Sequence, residues 1–283
     1  MVETVPQTLD WQKEEGQAFW DANPCGGRWQ SYEEFMAWYQ CTEPEMFQIL
    51  DTYDCTGLRV IEVGCGQGPT LNYLARNGAI VHGLDMSSRS LQKAKAGTVE
   101  LGATQSTHLV QADAEQLPFP DGHFDMAVSL GVLHHTPDTA VGVSEIYRVL
   151  KPGGVSVVML YRSGNPKWWM TRMLREASRL VDCVAGKHDT LLESLRNRQH
   201  EGDVSGTALM ELFGVPILKA FSNRQARRLF GMFSEIRISN HLPGFRRLAD
   251  VQSILRSFEP ALAWIDRCTK NVWGFYQVIE ARK

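Results

Sequence analysis

A glycine-rich turn is the segment of this sequence with the clearest chemical meaning. Residues 60 to 68 read VIEVGCGQG, which places Gly64, Gly66 and Gly68 directly after a β-branched run. Glycines suit a turn where the backbone must approach a ligand closely, because side chains there would collide with it. The dinucleotide fingerprint G-x-G-x-x-G would need a glycine at position 69, which is Pro69. The turn therefore predicts a nucleotide-like ligand that is not a nicotinamide dinucleotide.

Acidic side chains at the ends of the neighbouring strands narrow the choice of ligand. Glu62 precedes the turn, where a carboxylate would repel a pyrophosphate and attract the ammonium and sulfonium groups of S-adenosylmethionine. Asp85 ends the second strand and is placed to accept both ribose hydroxyls, while Met86 follows and is placed against the adenine face. Asp113 and Ala114 end the third strand, where they could read the adenine edge. These strand ends converge on one crevice, as is usual in open α/β sheets.

Residues 61 to 158 resemble the small-molecule class I methyltransferases, and most of all the group that contains the ubiquinone and menaquinone C-methyltransferases. The matching segments are IEVGCGQG, GLDMS, QADAEQLPFPDGHFD, SLGVLHHTPD and EIYRVLKPGG. The resemblance implies S-adenosylmethionine as methyl donor, with S-adenosylhomocysteine as product. It also implies donor contacts from Glu62, Gly64, Gly66, Gly68, Asp85, Met86, Asp113 and Ala114, with backbone contacts from Cys65 and Ser129.

The order of the predicted elements is typical of an α/β protein. Between Leu58 and Tyr161, five short β-branched runs alternate with helical stretches, and two further strand candidates are SEIRISNHL and NVWGFYQVIEARK. With the resemblance, they predict a Rossmann-like sheet of seven mostly parallel strands with helices on both faces. We expect a helical, aromatic-rich cap at residues 1–57, a methyltransferase domain at 58–283, and helical insertions in it at 163–217 and 242–270.

The first insertion contains an amphipathic helix. Apolar residues share one helical face, with arginines opposite. We expect the helix to pack on its own domain; a lid over the substrate and a peripheral membrane contact through residues 167–184 are the alternatives. The apolar face consists of Met170, Met173, Leu174, Ala177, Leu180, Val181 and Val184.

Charge, cysteine content and targeting signals exclude several classes of protein. Residues 1–57 carry eleven acidic and two basic side chains, which disfavours a nucleic-acid partner, whereas Lys219 to Arg247 holds seven Lys or Arg and one acid. We interpret the contrast as attraction between the cap and the second half of the chain; an acceptor with a carboxylate or phosphate is the alternative. Six cysteines without a CxxC pair predict no metal site. The absence of a signal or membrane-spanning pattern predicts a cytoplasmic protein.

Few side chains are candidates for catalysis, because methyl transfer from a sulfonium chiefly requires proximity and orientation. A hydroxyl or ammonium acceptor also needs a base, and His134 and His135 on the loop after the fourth strand are the candidates. The resemblance implies that this pair commonly belongs to the scaffold. Tyr161 and His241 end the fifth and sixth strands and are further candidates at the crevice, although packing is the favoured interpretation.

The aromatic residues of the cap are candidates for an acceptor pocket, namely Trp20, Trp29, Tyr32 and Tyr39. Aromatic residues at this density more often form the cap's own core. The sequence thus predicts transfer of a methyl group to the oxygen, nitrogen or carbon of a small molecule. The rivals are a donor-binding module without catalysis, since no catalytic side chain is obligatory, and a nicotinamide oxidoreductase, which the glycine spacing disfavours.

Overall fold

The computed structural model describes residues 7–24, 31–185, 215–241 and 259–283. Its centre is a seven-stranded sheet in the order β3-β2-β1-β4-β5-β7-β6. Only β7 runs antiparallel to its neighbours, β5 and β6. The predicted Rossmann-like, mostly parallel sheet is confirmed. The strands are β1 (Arg59–Val63), β2 (Ile80–Asp85), β3 (Thr107–Gln111), β4 (Phe124–Leu130), β5 (Leu150–Tyr161), β6 (Glu235–His241) and β7 (Tyr276–Arg282).

The helices of the described residues begin at ordinary capping signals. Pro69 opens α4 after a left-handed Gly68, the Ser87 and Asp138 side chains cap α5 and α6, and Ser222 forms a capping box with Gln225 at α8. The helices are α1 (Gln7–Ala22), α2 (Tyr32–Thr42), α3 (Pro44–Leu50), α4 (Pro69–Arg76), α5 (Ser88–Glu100), α6 (Thr139–Val149), α7 (Pro166–Ala185), α8 (Asn223–Leu229) and α9 (Glu259–Trp273), with a 3₁₀ turn at Leu133–His135.

The sheet separates two apolar cores. On one face, Ile146 of α6 and Phe230 after α8 pack against β4, β5 and β7. On the other face, Leu50 of α3 and Leu71 of α4 pack against β1, β2 and β7. Because β1 to β5 run parallel, their carboxyl ends meet along one edge. This edge carries the turns that contain most of the predicted site residues.

Two element boundaries differ from the predicted ones. The fifth strand, predicted from the run VSVVMLY to begin at Val155, begins at Leu150, before the glycines of LKPGG. A register shift between Phe124 and Met126 accommodates the extra residues in its pairing with β4. The last helix continues to Trp273, so that residues 271–273, assigned from the sequence to the final strand, are helical. The rest of the predicted insertions, at 186–214 and 242–258, lies outside the described residues.

Helix α7 packs on its own domain, and it does so through its more polar side. Trp168 and Thr171 are buried, and Arg175 donates a hydrogen bond to the Val215 carbonyl at 2.9 Å. These contacts turn the opposite face outward, and the side chains of Met173 and Leu180 are 72% and 67% exposed. No helix in the described part of the chain is long and apolar enough to cross a membrane.

Candidate functional site

The glycine-rich turn adopts the backbone that its sequence predicts. Gly64, Gly66 and Gly68 all have positive φ, at 76°, 53° and 82°, a region that favours glycine. A Cβ on Gly64 would lie 2.2 Å from the Val132 side chain, whereas a Cβ on Gly66 would meet no atom within 4 Å. Gly64 therefore allows close packing of the next loop, and Gly66 exposes the backbone to open space. The turn is shaped to receive a ligand at Gly66.

Glu62 is a buried carboxylate that lacks a full set of partners. The residue is 3% exposed, and its Oε2 atom has no hydrogen-bond partner among the described residues. Burial, and next the charge of Asp85, raise the pKa of Glu62 well above its usual range. A ligand with a positively charged group beside Oε2 would satisfy this carboxylate. The Glu62 carboxylate thus fits the ammonium group of S-adenosylmethionine better than a phosphate.

Asp85 connects the second strand to the glycine turn. Its Oδ2 atom accepts the Gly66 N–H at 2.8 Å, and its Oδ1 atom accepts the Ser87 N–H at the same distance. Burial raises the pKa of Asp85. Each carboxylate oxygen can accept a second hydrogen bond, so the residue can also receive a pair of hydroxyl groups. This chemistry fits the ribose of a nucleoside.

Asp113 at the end of β3 lies beside a lysine that the sequence analysis did not single out. The Lys13 ammonium lies 2.5 Å from Asp113 Oδ2 and 2.9 Å from Glu115 Oε2. The Asp113 Oδ1 atom accepts the Glu115 N–H, and Ala114 between them is buried. The only signal for Lys13 in the sequence is that it is one of two basic residues in the acidic first segment.

Helix α1 lies across the ends of β2 and β3. Gly16 approaches the Met86 methyl group, since a Cβ on Gly16 would lie 4.0 Å from it. Asp21 accepts a hydrogen bond from the Ser87 hydroxyl at 2.7 Å. With Lys13, these contacts make α1 a wall of the crevice at Met86 and Asp113. Contacts between residues so distant in sequence have no local signature.

Two predicted donor-site residues, Cys65 after β1 and Ser129 on β4, have side chains committed to the scaffold. Cys65 is buried, and burial raises the pKa of its thiol well above the usual range. The Ser129 hydroxyl donates to the Val63 carbonyl at 3.0 Å and so connects β4 to β1. The backbone contacts expected from both residues stay a prediction.

The two histidines after β4 differ in environment. His134 is fully buried, and neither ring nitrogen has a hydrogen-bond partner among the described residues. Its ring stacks on Tyr161 with centroids 4.0 Å apart. Burial, followed by the neighbouring His135, lowers the pKa of His134 well below its usual range. His134 is therefore a neutral ring sealed in the scaffold, which removes it as a base that exchanges protons with an acceptor.

His135 is half-buried and oriented by the backbone. Its Nδ1 atom lies 2.8 Å from the Ile217 carbonyl oxygen, which can only accept, so Nδ1 carries the proton and a neutral ring has its lone pair on Nε2. The Trp20 ring contacts His135 edge to face with centroids 5.5 Å apart. The structure thus brings His135 and Trp20 together. His135 is a candidate base whose ring is oriented by the Ile217 carbonyl, and the Trp20 ring lies beside it. Tyr161, buried between His134 and Phe275, packs as the favoured interpretation expected.

The remaining aromatic candidates of the cap mostly pack within the scaffold. Tyr39 lies between Phe35 and Phe47, with ring centroids 6.2 and 5.9 Å away. Tyr32 lies on Gly97, where a Cβ would come within 2.2 Å of the ring, and its hydroxyl donates to the Gln67 carbonyl at 2.5 Å. Tyr32 therefore packs between the glycine turn and α5. This position does not suit a contact with the acceptor. Trp29 lies outside the described residues.

His241 is also a buried scaffold residue in this structure. Its Nε2 atom lies 2.7 Å from the Ser239 hydroxyl, and its ring stacks on Tyr276. Burial, and then Lys270, lower the pKa of His241 to about 4. The structure does not bring His241 together with His135. Among the described residues, no group of three His, Cys, Asp or Glu side chains could hold a metal ion.

Comparison with known proteins agrees with this geometry. The family model described as a methyltransferase domain matches residues 61–158. An uncharacterized methyltransferase of Synechocystis sp. is 40% identical over 116 residues, which cover 40% of this chain and 52% of the relative. A ubiquinone biosynthesis O-methyltransferase of Sodalis glossinidius is 33% identical over 157 residues, covering 55% of this chain and 61% of the relative. The chain thus spans between half and two thirds of the length of these two relatives.

Solved structures share the fold. The S-adenosylmethionine-dependent methyltransferase of Mesorhizobium loti superposes with a TM-score of 0.55 over 85% of this chain and 96% of that chain, at 20% identity. The family match and this fold together place the matched domain among the class I methyltransferases. The chain carries an S-adenosylmethionine-dependent methyltransferase domain of that class, with residues 61–158 as the part that the family model matches.

Proposed function

We propose that the whole chain is an enzyme that transfers a methyl group from S-adenosylmethionine to a hydroxyl oxygen of a small molecule. The observation that carries the proposal is that Oε2 of buried Glu62 has no hydrogen-bond partner among the described residues, on the strand that leads into the turn with the open backbone of Gly66. A carboxylate left unpaired in a buried site is costly, and the positive charge of the donor would remove that cost. The match to a methyltransferase domain supports the same cofactor.

The donor-binding roles follow from the contacts of each strand end. Glu62 would pair with the ammonium group, Asp85 would accept the ribose hydroxyls, and Asp113 and Met86 would hold the adenine. Backbone atoms of Cys65 and Ser129 remain as further contacts. Bound there, S-adenosylmethionine supplies a methyl group already activated by its sulfonium.

His135 is the residue to which we assign general-base catalysis. The Ile217 carbonyl holds the proton on Nδ1, so Nε2 carries the lone pair of the neutral ring, and Trp20 contacts the ring edge to face. A hydroxyl acceptor loses a proton as it is methylated, and so does an ammonium acceptor. A base at this position therefore contributes to catalysis only for these two kinds of acceptor. The O-methyltransferase name of the Sodalis relative supports oxygen over nitrogen. That the acceptor is also anionic stays a prediction from the sequence.

The test is His135→Gln, measured in a methyl-transfer assay over a panel of phenols, catechols and carboxylic acids. We expect kcat to fall by about 10²-fold to 10⁴-fold, the usual contribution of a general base, with unchanged affinity for S-adenosylhomocysteine. His123→Gln is the matched control, because that half-buried histidine precedes β4 at the opposite end of the strand.

Other outcomes separate the rival functions. Binding of S-adenosylhomocysteine by the unaltered chain without turnover of any acceptor supports a non-catalytic module. Tight binding of a nicotinamide dinucleotide without S-adenosylhomocysteine binding overturns the methyltransferase proposal. Full turnover by His135→Gln leaves the donor assignment standing and removes the base.

A further inference from the structure

Exposed apolar side chains are concentrated on two helices. Of the thirteen large apolar side chains that are exposed within the described residues, eight lie on α7 or α9. Scattered apolar residues are normal on a protein surface, but a contiguous group usually marks an interaction site. The eight are Trp169, Met170, Met173, Leu174 and Leu180 on α7, and Trp264, Val272 and Trp273 on α9. These residues are called the outer apolar face below.

Helix α7 packs on the protein by its more polar side. Five residues of α7, spaced three or four positions apart, are buried or half-buried: Trp168, Thr171, Arg175, Ser178 and Asp182. The apolar stripe therefore points away from the body, against the usual preference of an amphipathic helix at a surface. Exposure of these apolar side chains to water is unfavourable. A partner that covered them would remove this unfavourable contribution to the free energy.

Positive charge lies beside the α7 part of the outer apolar face. Residues 162–185 contain five basic side chains, at 162, 167, 172, 175 and 179, and two acids, at 176 and 182, which gives a net charge of +3. Of the five, Arg175 lies on the side that packs on the protein. The Arg172 guanidinium lies over the Trp169 ring, 5.7 Å from its centroid. Arg179 is 65% exposed and pairs with Glu176 at 3.0 Å. A helix with Trp, Met and Leu on one side and arginines along its borders is the pattern of an interfacial helix.

The end of α9 lies beside the segment that leads into α7, at the edge of the sheet that carries the candidate site. Arg162, directly after β5, donates hydrogen bonds to the carbonyls of Val272 and Asn271 at 2.8 and 3.1 Å. These bonds hold the end of α9 against the segment from which α7 starts. The ends of the two helices therefore adjoin the carboxyl end of β5.

We propose that the outer apolar face docks on an anionic lipid surface. A bilayer interface offers an apolar acyl region for the tryptophan, methionine and leucine side chains and negative head groups for the arginines. A second copy of the chain fits less well, because a two-fold symmetric contact would place a helix region of charge +3 against itself. The proposal concerns binding and is independent of the methyl-transfer assignment.

The experiment is co-sedimentation of the full chain with vesicles of phosphatidylcholine alone or mixed with phosphatidylglycerol. We expect binding to the mixed vesicles that weakens with salt and is lower for phosphatidylcholine alone. The double variant Met173→Gln/Leu180→Gln should reduce binding by roughly tenfold or more, since two large apolar side chains no longer enter the interface. The matched control is Val99→Gln/Val141→Gln, which changes two exposed apolar residues on α5 and α6 and should bind like the unaltered chain.

The unfolding temperature and, by sedimentation velocity, the oligomeric state are measured for the unaltered chain and for the double variant. An unchanged unfolding temperature of the double variant, with lost vesicle binding, supports the proposal. A lowered unfolding temperature without vesicle binding by the unaltered chain shows that the chain itself covers the face and overturns it. A dimer that dissociates in the double variant overturns it in favour of a second copy, and equal loss of binding in the control pair shows that the face is not the determinant.

Discussion

The proposed donor side of the crevice and its proposed acceptor side are built in different ways. On the donor side, the key atoms belong to short turns after β1, β2 and β3, and they are joined by hydrogen bonds such as the one from Gly66 to Asp85. On the acceptor side, His135 meets Trp20 from α1 and the Ile217 carbonyl from a distant segment. The first side depends on local backbone geometry, whereas the second depends on how distant elements pack. Substitutions on the two sides should therefore affect different measured quantities.

The largest effect on the donor side is expected for Asp85→Ala. The variant loses the acceptor for the ribose hydroxyls and for the Gly66 N–H, which costs on the order of 2 kcal/mol, or about 30-fold in affinity. Calorimetric titration with S-adenosylhomocysteine measures the change. Asp54→Ala, an exposed acid before β1, is the control. If both variants bind equally well, the ribose lies elsewhere and the donor side is wrongly assigned.

An intermediate effect is expected for His134→Phe, through the pH dependence of stability. The pKa of buried His134 lies well below its reference value of 6.5, whereas the unfolded chain takes up a proton near that value. The folded state therefore loses stability as the pH falls below 6.5, by up to about 1.4 kcal/mol per pH unit for one such histidine. His82 and His241, whose pKa values burial lowers to about 4, act in the same direction down to that pH.

Urea unfolding of His134→Phe at several pH values between 7 and 5 tests this expectation. The variant should lose less stability on acidification than the unaltered chain. Its stability at pH 7 should be equal or higher by about 1 kcal/mol, because two unpaired ring nitrogens are removed. An unchanged slope would show that His134 can be protonated in the folded state, and would restore it as a candidate base beside His135.

The smallest effect is expected for Tyr32→Phe, which tests whether the cap supports the donor side. The phenol holds the Gln67 carbonyl of the glycine turn, and its loss should weaken S-adenosylhomocysteine binding about fivefold, or about 1 kcal/mol. Tyr53→Phe, whose hydroxyl contacts Glu280 at 2.5 Å on β7, is the matched control. Equal binding by Tyr32→Phe and the control would mean that the turn keeps its shape without the cap.

Much of the donor side could be predicted from the sequence because its signals are local. The glycines of the turn, Glu62 and Asp85 occupy fixed positions relative to two adjacent strands, and a parallel sheet brings such strand ends together. The packing partners could not be predicted in this way. Lys13 reaches Asp113 across 100 residues of sequence, and nothing near either residue encodes that pairing.

The same limit applies to the side by which α7 packs. Helical periodicity identifies which residues share a face, but it carries no information on which face meets the domain. That choice depends on Trp168 and Thr171, which are buried, and on the hydrogen bond of Arg175 to Val215, forty residues away. For the acceptor side, the sequence named His134 and His135 together, and only burial separates them.

The contact between Tyr32 and Gly97 bears on how the polypeptide can be divided. The ring occupies the space that any side chain at position 97 would need, and the hydroxyl holds the Gln67 carbonyl, so one residue of the first segment joins α5 to the glycine turn. Helix α2 is consequently joined to α5 and to the glycine turn in this region. A truncated chain that starts at Leu58 would leave Gly97 uncovered and the turn unsupported, which makes residue 57 a poor point for truncation or for fusion to another protein.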